Sequence, residues 1–198
     1  MIKNKIQKLI NSFGYEIKRL DKKNKNLNFD QILKKNTSKN PVIFDVGANK
    51  GQSITRFSNL FENPIIHSFE PLKEDFELLK TKYQKKNIYL NNIALGEKEE
   101  LKEFNVATKT DSSSFYKINK NTEWIKVRSL QNNTTEDQYV KRTENVQVST
   151  LDNYIKINNI EKIDLLKIDT ECHEDKVLEG SLNTLKNKTV KIILIEIR

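Results

Sequence analysis

The 198-residue chain carries 35 Lys/Arg against 27 Asp/Glu, a formal net charge of +8, and one cysteine. Its length suffices for one domain with its own core; a single cysteine excludes an internal disulfide and an all-thiolate metal centre, and no apolar run reaches 18 residues, which excludes a membrane-crossing helix. The excess charge is local. Residues 1–25 hold eight Lys/Arg and two acids, the remainder 27 and 25, a near balance that argues against a nucleic-acid-binding face spread over the fold.

Ile2, Ile6, Leu9, Ile10, Phe13 and Ile17 recur at helical spacing, with Lys3, Lys5, Lys8 and Lys18 between them. This is a basic amphipathic helix interrupted near Gly14. It lacks the apolar stretch of a secretory signal, so a cytoplasmic setting is expected. Its apolar face has two expected fates. One is weak, reversible contact of residues 1–20 with the anionic inner face of a membrane, Ile6, Leu9, Ile10 and Phe13 inserting. The other is packing on the chain's own domain or on a second copy. Residues 21–40 are polar and read as a linker with one short helix, Phe29 to Lys34, so residues 1–40 stand apart from a domain over 41–198.

From Pro41 the pattern alternates. Val42–Asp45, Ile65–Glu70, Asn87–Ile93, Ile163–Ile168 and Lys191–Ile197 read as strands. Helices lie between them: Gln52–Phe61, one opened by Pro71, Leu151–Ile157, and one beginning at Glu171 that Gly180 ends or interrupts. Leu101–Val106 and Val146–Val148 read as edge strands or a hairpin. Residues 107–145, rich in Asn, Thr, Ser and charge, read as a lid or a disordered insertion. The alternation predicts an α/β fold, a parallel sheet with helices on both faces.

In such sheets ligands bind beyond the carboxyl ends of the strands, and acids and glycines collect there. Asp45 and Gly47 follow the first strand in DVGANKG (45–51). A glycine turn lets a ligand lie against bare backbone, with N–H groups of the next helix aimed at it. The spacing is not the G-x-G-x-x-G of dinucleotide sites. Asn49 reads as a ligand contact or as a left-handed turn residue, and Gly51 as the helix start. Glu70, followed by Pro71, ends the second strand; a carboxylate there can accept both hydroxyls of a ribose. Asn92 and Ala94 end the third, where an adenine edge would lie. Asp169 ends the fourth and faces the reacting end of a ligand, with Glu171 and His173 beside it. Each has a plainer reading: a cap for Asp169, favourable helix-dipole placement for Glu171, Glu174 and Asp175, a surface helix position for His173. Ser112, Ser113 and Ser114 read as ligand contacts or as loop residues, and His67 as structural.

The stretches DVGANKG (45–51), FEP (69–71), NIALG (92–96), DSSSF (111–115), VSTLD (148–152), IDLLKIDTECHEDKVLEG (163–180) and IILIEI (192–197) occur in this order. In them, over residues 41–198, the chain resembles the FkbM-type methyltransferases that use S-adenosylmethionine (SAM). The resemblance implies a Rossmann-like class I sheet and SAM as methyl donor, held at Asp45, Gly47, Asn49, Gly51, Glu70, Pro71, Asn92 and Ala94. It implies O-methylation of a hydroxyl on a sugar, a glycan or another small metabolite. Asp169, with Glu171 or His173, would position the acceptor or take its proton. Asp169, Glu171 and Glu196 also offer hard oxygen ligands to a divalent cation, which methyl transfer does not require.

Two departures from the family pattern matter. Cys172 stands where the family has glycine, which adds strain or bulk if that backbone is left-handed. The chain also ends just after the fifth strand, whereas the implied fold has two more, so an exposed apolar edge is expected, from a truncated product or one covered by a second copy or by the 107–145 insertion. Both departures motivate the alternative of a SAM-binding but catalytically impaired protein. A nucleic-acid methyltransferase is the weakest reading: no Asp/Asn-Pro-Pro-aromatic motif is present, and Cys172 is not preceded by proline.

Overall fold

The computed structural model describes residues 2–17, 29–117, 119 and 122–196. The expectations for Lys18, for the linker over 21–28 and for Ile197 lie outside the described residues. In chain order the elements are α1 (Ile2–Ser12), α2 (Phe29–Asn36), β1 (Val42–Val46), α3 (Gln52–Leu60), β2 (Ile65–Phe69), α4 (Lys73–Lys82) and β3 (Ile88–Asn91). Then follow β4 (Ala94–Leu95), β5 (Glu100–Ala107), α5 (Glu123–Gln131), β6 (Val140–Ser149), α6 (Leu151–Ile157), β7 (Ile163–Ile168), α7 (Glu174–Glu179), α8 (Leu182–Lys186) and β8 (Val190–Ile195).

Five strands form one parallel sheet in the order β3-β2-β1-β7-β8, with helices on both faces, as the alternation predicts. Successive side chains of a strand point to opposite faces, and the core divides accordingly. Ile43, Ile66 and Leu165 pack under Leu33, Ile54, Phe57 and Leu79 of α2, α3 and α4. Phe44, Val46, Leu166 and Ile168 pack under Tyr154, Val177, Leu178 and Leu185 of α6, α7 and α8, together with Ile6 and Ile10 of α1. His67 is structural: its ring stacks between Phe44 and Tyr89, and Nδ1 lies 2.9 Å from the Tyr154 hydroxyl.

The apolar face of α1 packs on the chain's own domain. Ile6 and Ile10 are buried, and Leu9 and Phe13 pack against the same cluster. Lys5 pairs with Asp175 at 2.9 Å and Glu179 at 2.6 Å on α7. Insertion of these residues into a membrane, one of the two expectations, would first have to take them out of this core. Among the described residues no helix is long and apolar enough to cross a membrane.

The third strand is shorter than expected. It ends at Asn91, because the Asn92 side chain donates to the carbonyls of Glu70 and Pro71, both at 2.9 Å, and turns the chain out of the sheet. Ala94–Leu95 instead joins a second, three-stranded sheet, β4-β6-β5, in which β5 and β6 run antiparallel over most of their length. The 107–145 segment is therefore not a structureless insertion. It contains α5, capped by Thr122 and pinned by Ile125, which packs with Ala107 and Tyr139 in a small core.

Candidate functional site

The strand order reverses direction between β1 and β7: β2 and β3 build outward on one side, β8 on the other. At such a switch point the connections diverge and leave a crevice at the carboxyl ends. A cleft of about 340 Å³ opens there, between the turns after β1, β2 and β7 and the second sheet. That volume lies in the range of small-molecule sites.

The β1–α3 turn forms the floor. Gly47 (φ +82°) passes so close to β7 that a Cβ would lie 2.0 Å from the Asp169 carbonyl oxygen, so no side chain fits. Asn49 is left-handed (φ +46°), and its Oδ1 is buried without a hydrogen-bond partner among the described residues. Both line the cleft. Gly51, also left-handed, does not; it begins α3, where a Cβ would meet the Tyr83 ring at 2.4 Å. Its lack of a side chain leaves room for the Tyr83 ring and Leu79.

Glu70 ends β2, is buried, and faces the cleft. Its Oε2 accepts from the Asn49 N–H at 2.8 Å and Oε1 from the Leu72 N–H at 2.9 Å. Burial pushes its carboxyl up to about 7; the two N–H groups oppose this, and Asp75 and Asp45 add to it. Each oxygen accepts one backbone donor and keeps lone-pair capacity for another. Pro71 and Ala94 line the cleft, while Asn92 stands outside and braces the Glu70–Pro71 turn.

Asp45 departs from its expected role. It is fully buried and does not line the cleft. The β1–β7 register sets it opposite Lys167, whose Nζ donates to Asp45 Oδ1 at 3.0 Å. Lys167 reaches the cleft, and the sequence reading missed it. A lysine inside the apolar run LLKID was the available signal, since a buried ammonium needs a partner. Burial pulls Lys167 down, but Asp45 and Asp169 outweigh it and hold the ammonium protonated.

Asp169, Glu171 and His173 all line the cleft. Glu171 (φ +51°) and Cys172 (φ +77°) are both left-handed, so the position occupied by cysteine does ask for glycine geometry. The loop is tied down by Glu174, whose Oε1 accepts from the Thr170 N–H and hydroxyl, and by the Ser114 hydroxyl, which donates to the Glu171 carbonyl at 2.6 Å. His173 is not a surface residue. It is 1% exposed, lies 4.4 Å from the Phe115 ring, and neither ring nitrogen has a hydrogen-bond partner among the described residues. Burial, helped by Lys102, holds it down at about 4, so it is neutral at pH 7.

Phe104, Phe115 and Thr110, from the second sheet and its connection, and Leu72, from the turn between β2 and α4, also line the cleft; these too were missed. Of the three serines only Ser113 lines the cleft, and its Oγ accepts from the Ala107 N–H at 3.0 Å. Glu174 and Asp175 are structural, and Asp169, Glu171 and Glu196 do not converge: among the described residues no group of three or more His, Cys, Asp or Glu could hold a metal ion. Among the described residues the lining carries four carboxyl groups, Glu70, Asp111, Asp169 and Glu171, against the single ammonium of Lys167. That balance suits a cationic ligand.

A family model described as Methyltransferase FkbM domain matches residues 45–198. No curated protein and no solved structure matches the chain.

Proposed function

The chain belongs to the FkbM methyltransferase family, and from that premise we propose that it transfers a methyl group from SAM to a hydroxyl oxygen of a sugar, glycan or other small metabolite. The observation that carries the choice of donor is Glu70. Its buried carboxyl faces the cleft with one backbone N–H on each oxygen, which suits two vicinal hydroxyls of a ribose. The unpartnered Asn49 Oδ1 beside it and the acidic lining also fit a ligand bearing an amino group and a sulfonium. Glu70, Asn49, Gly47, Pro71 and Ala94 would hold SAM; Gly51 and Asn92 would support the turns that do so.

SAM, when bound, supplies a methyl group already activated by its sulfonium. What is left to the protein is positioning and one proton. Holding the acceptor oxygen in line contributes through proximity. Asp169, at the end of β7, is placed to orient the acceptor. His173 is neutral and buried, with both ring nitrogens unpartnered among the described residues, so one of them can accept the hydroxyl proton. Glu171 contributes its backbone to the loop that presents both. The test is calorimetry with SAM and its demethylated product, S-adenosylhomocysteine, followed by radiolabelled methyl transfer to a panel of sugars and polyols. Absence of SAM binding would sink the proposal.

A second reading, SAM binding without turnover, draws on the left-handed Glu171–Cys172 pair. Non-glycine residues held there cost of order 1–3 kcal/mol each, which strains the loop that carries the reacting groups. SAM binding with no transfer to any hydroxyl, restored by Cys172→Gly, would favour it.

A further inference from the structure

We infer that Lys167 is a positioning residue: it fixes Asp169 at the reacting end of the cleft and joins it to the glycine turn, and Asp45 acts through it and not on the ligand. The inference rests on the SAM reading for its functional meaning, but the geometry stands without it. Asp45 and Lys167 are direct partners in the β1–β7 register. Residues 167 and 169 are two apart at the end of one strand, so both side chains project to the same side. The ammonium lies 3.0 Å from Asp45 Oδ1, 3.4 Å from the Gly47 carbonyl oxygen and 3.6 Å from Asp169 Oδ2.

Of an ammonium's three N–H donors, two are held by Asp45 and the Gly47 carbonyl, and the charge is also within ion-pair distance of Asp169. Burial separates the roles. Asp45 is fully buried and Lys167 nearly so, with side chains 0% and 12% exposed, whereas Asp169 is 28% exposed and opens to the cleft. A purely structural ion pair would be complete with Asp45. The reach to Asp169 carries the positive charge to the cleft surface. The backbone reinforces it: the Asp169 N–H donates to the Val46 carbonyl at 3.0 Å, and Gly47 lies against the Asp169 carbonyl. Turn, lysine and carboxylate thus form one unit.

Lys167→Met alone would strand the buried Asp45 charge, so the test uses Asp45→Asn/Lys167→Met, which removes the pair together. In the ligand-free protein near neutral pH, the carbon-13 signal of the Asp169 carboxyl should move in the double variant, because the ammonium 3.6 Å away is gone, and stay close to wild type in Lys167→Arg, which keeps the cation. In calorimetry, Asp169→Asn should cut the preference for SAM over S-adenosylhomocysteine roughly tenfold, the worth of one charged interaction. The double variant should lose a similar factor, and the triple variant no more than either. An unchanged carboxyl signal in the double variant, or a triple variant that loses the product of the two factors, overturns the inference. If the wild type binds no SAM, the proposed function fails, while the ligand-free carboxyl signal still decides the role of Lys167.

Discussion

Glu70→Gln tests the donor site most directly, because the structure fixes both its sign and its pH window. In the ligand-free protein burial holds the Glu70 carboxyl up to about 7, against an ordinary 4.5. The folded state therefore keeps this proton more tightly than the unfolded chain does. Stability from this group is fully present below about pH 4.5 and is lost as pH rises through about 7, by about 3 kcal/mol in all. Glutamine removes that dependence but brings a mismatch. The N–H groups of Asn49 and Leu72 each point at a carboxylate oxygen; an amide offers one oxygen, so one N–H then faces an NH₂, at a cost of about 1–3 kcal/mol. The variant should thus be less stable than wild type at pH 5 and close to it at pH 8, by denaturant melts. Ligand binding runs the opposite way. A cationic ligand favours the ionised carboxylate, so wild-type affinity for SAM should rise about tenfold per pH unit up to about 7 and then level. Glu70→Gln should bind roughly 10- to 150-fold more weakly at pH 8, the loss of charged hydrogen bonds, with little pH dependence. Calorimetry from pH 5.5 to 8.5 is the assay. A wild-type affinity that is flat across that range, or a variant that keeps the slope, would refute the assignment of Glu70 as the ribose-binding carboxylate.

Cys172→Gly removes a side chain from a left-handed position (φ +77°) and should stabilise by about 1 kcal/mol, or about 2–4 °C in melting temperature for a chain of this size; a lower melting temperature would show that the side chain contributes more than it strains. For His173 the folded value is depressed to about 4 from 6.5, so its contribution is fully present above pH 6.5 and is lost as pH falls toward 4. The stability gap between wild type and His173→Gln should accordingly narrow over that window, and a constant gap would contradict a buried neutral imidazole. Ile6→Ala opens a cavity in the shared core and should cost about 2–5 kcal/mol in denaturant melts; a cost under half a kilocalorie would mean that α1 is not docked in solution and would return its apolar face to the membrane reading.

The sequence by itself determined the α/β class and the strand ends that build the site. Short buried apolar runs punctuated by Gly47, Pro71 and Asp169 leave few topologies open, and parallel strands must place their carboxyl ends together. Glu70 and Asp169 were legible for that reason, each a polar group immediately after an apolar run, and Glu171 and His173 because they follow Asp169 in the same loop. Which of these groups reach the cleft was a different matter, since it depends on register and on contacts far apart in the chain. Asp45 was legible as important but not as buried, because only the pairing of β1 with β7 sets Lys167 opposite it. Gly51 and Asn92 share the motif positions of true cleft residues, yet Tyr83 and the Glu70–Pro71 carbonyls take them up. His173 follows an exposed-looking acidic stretch, and only the second sheet, bringing Phe115 over it, makes it buried and neutral. The basic amphipathic pattern of α1 likewise specifies an apolar face without specifying its partner; the partner is the core beneath α7, chosen because Asp175 and Glu179 await Lys5 there. Periodicity reports which face of an element must be covered, whereas the covering surface is assembled from distant segments and exists only once the chain has folded.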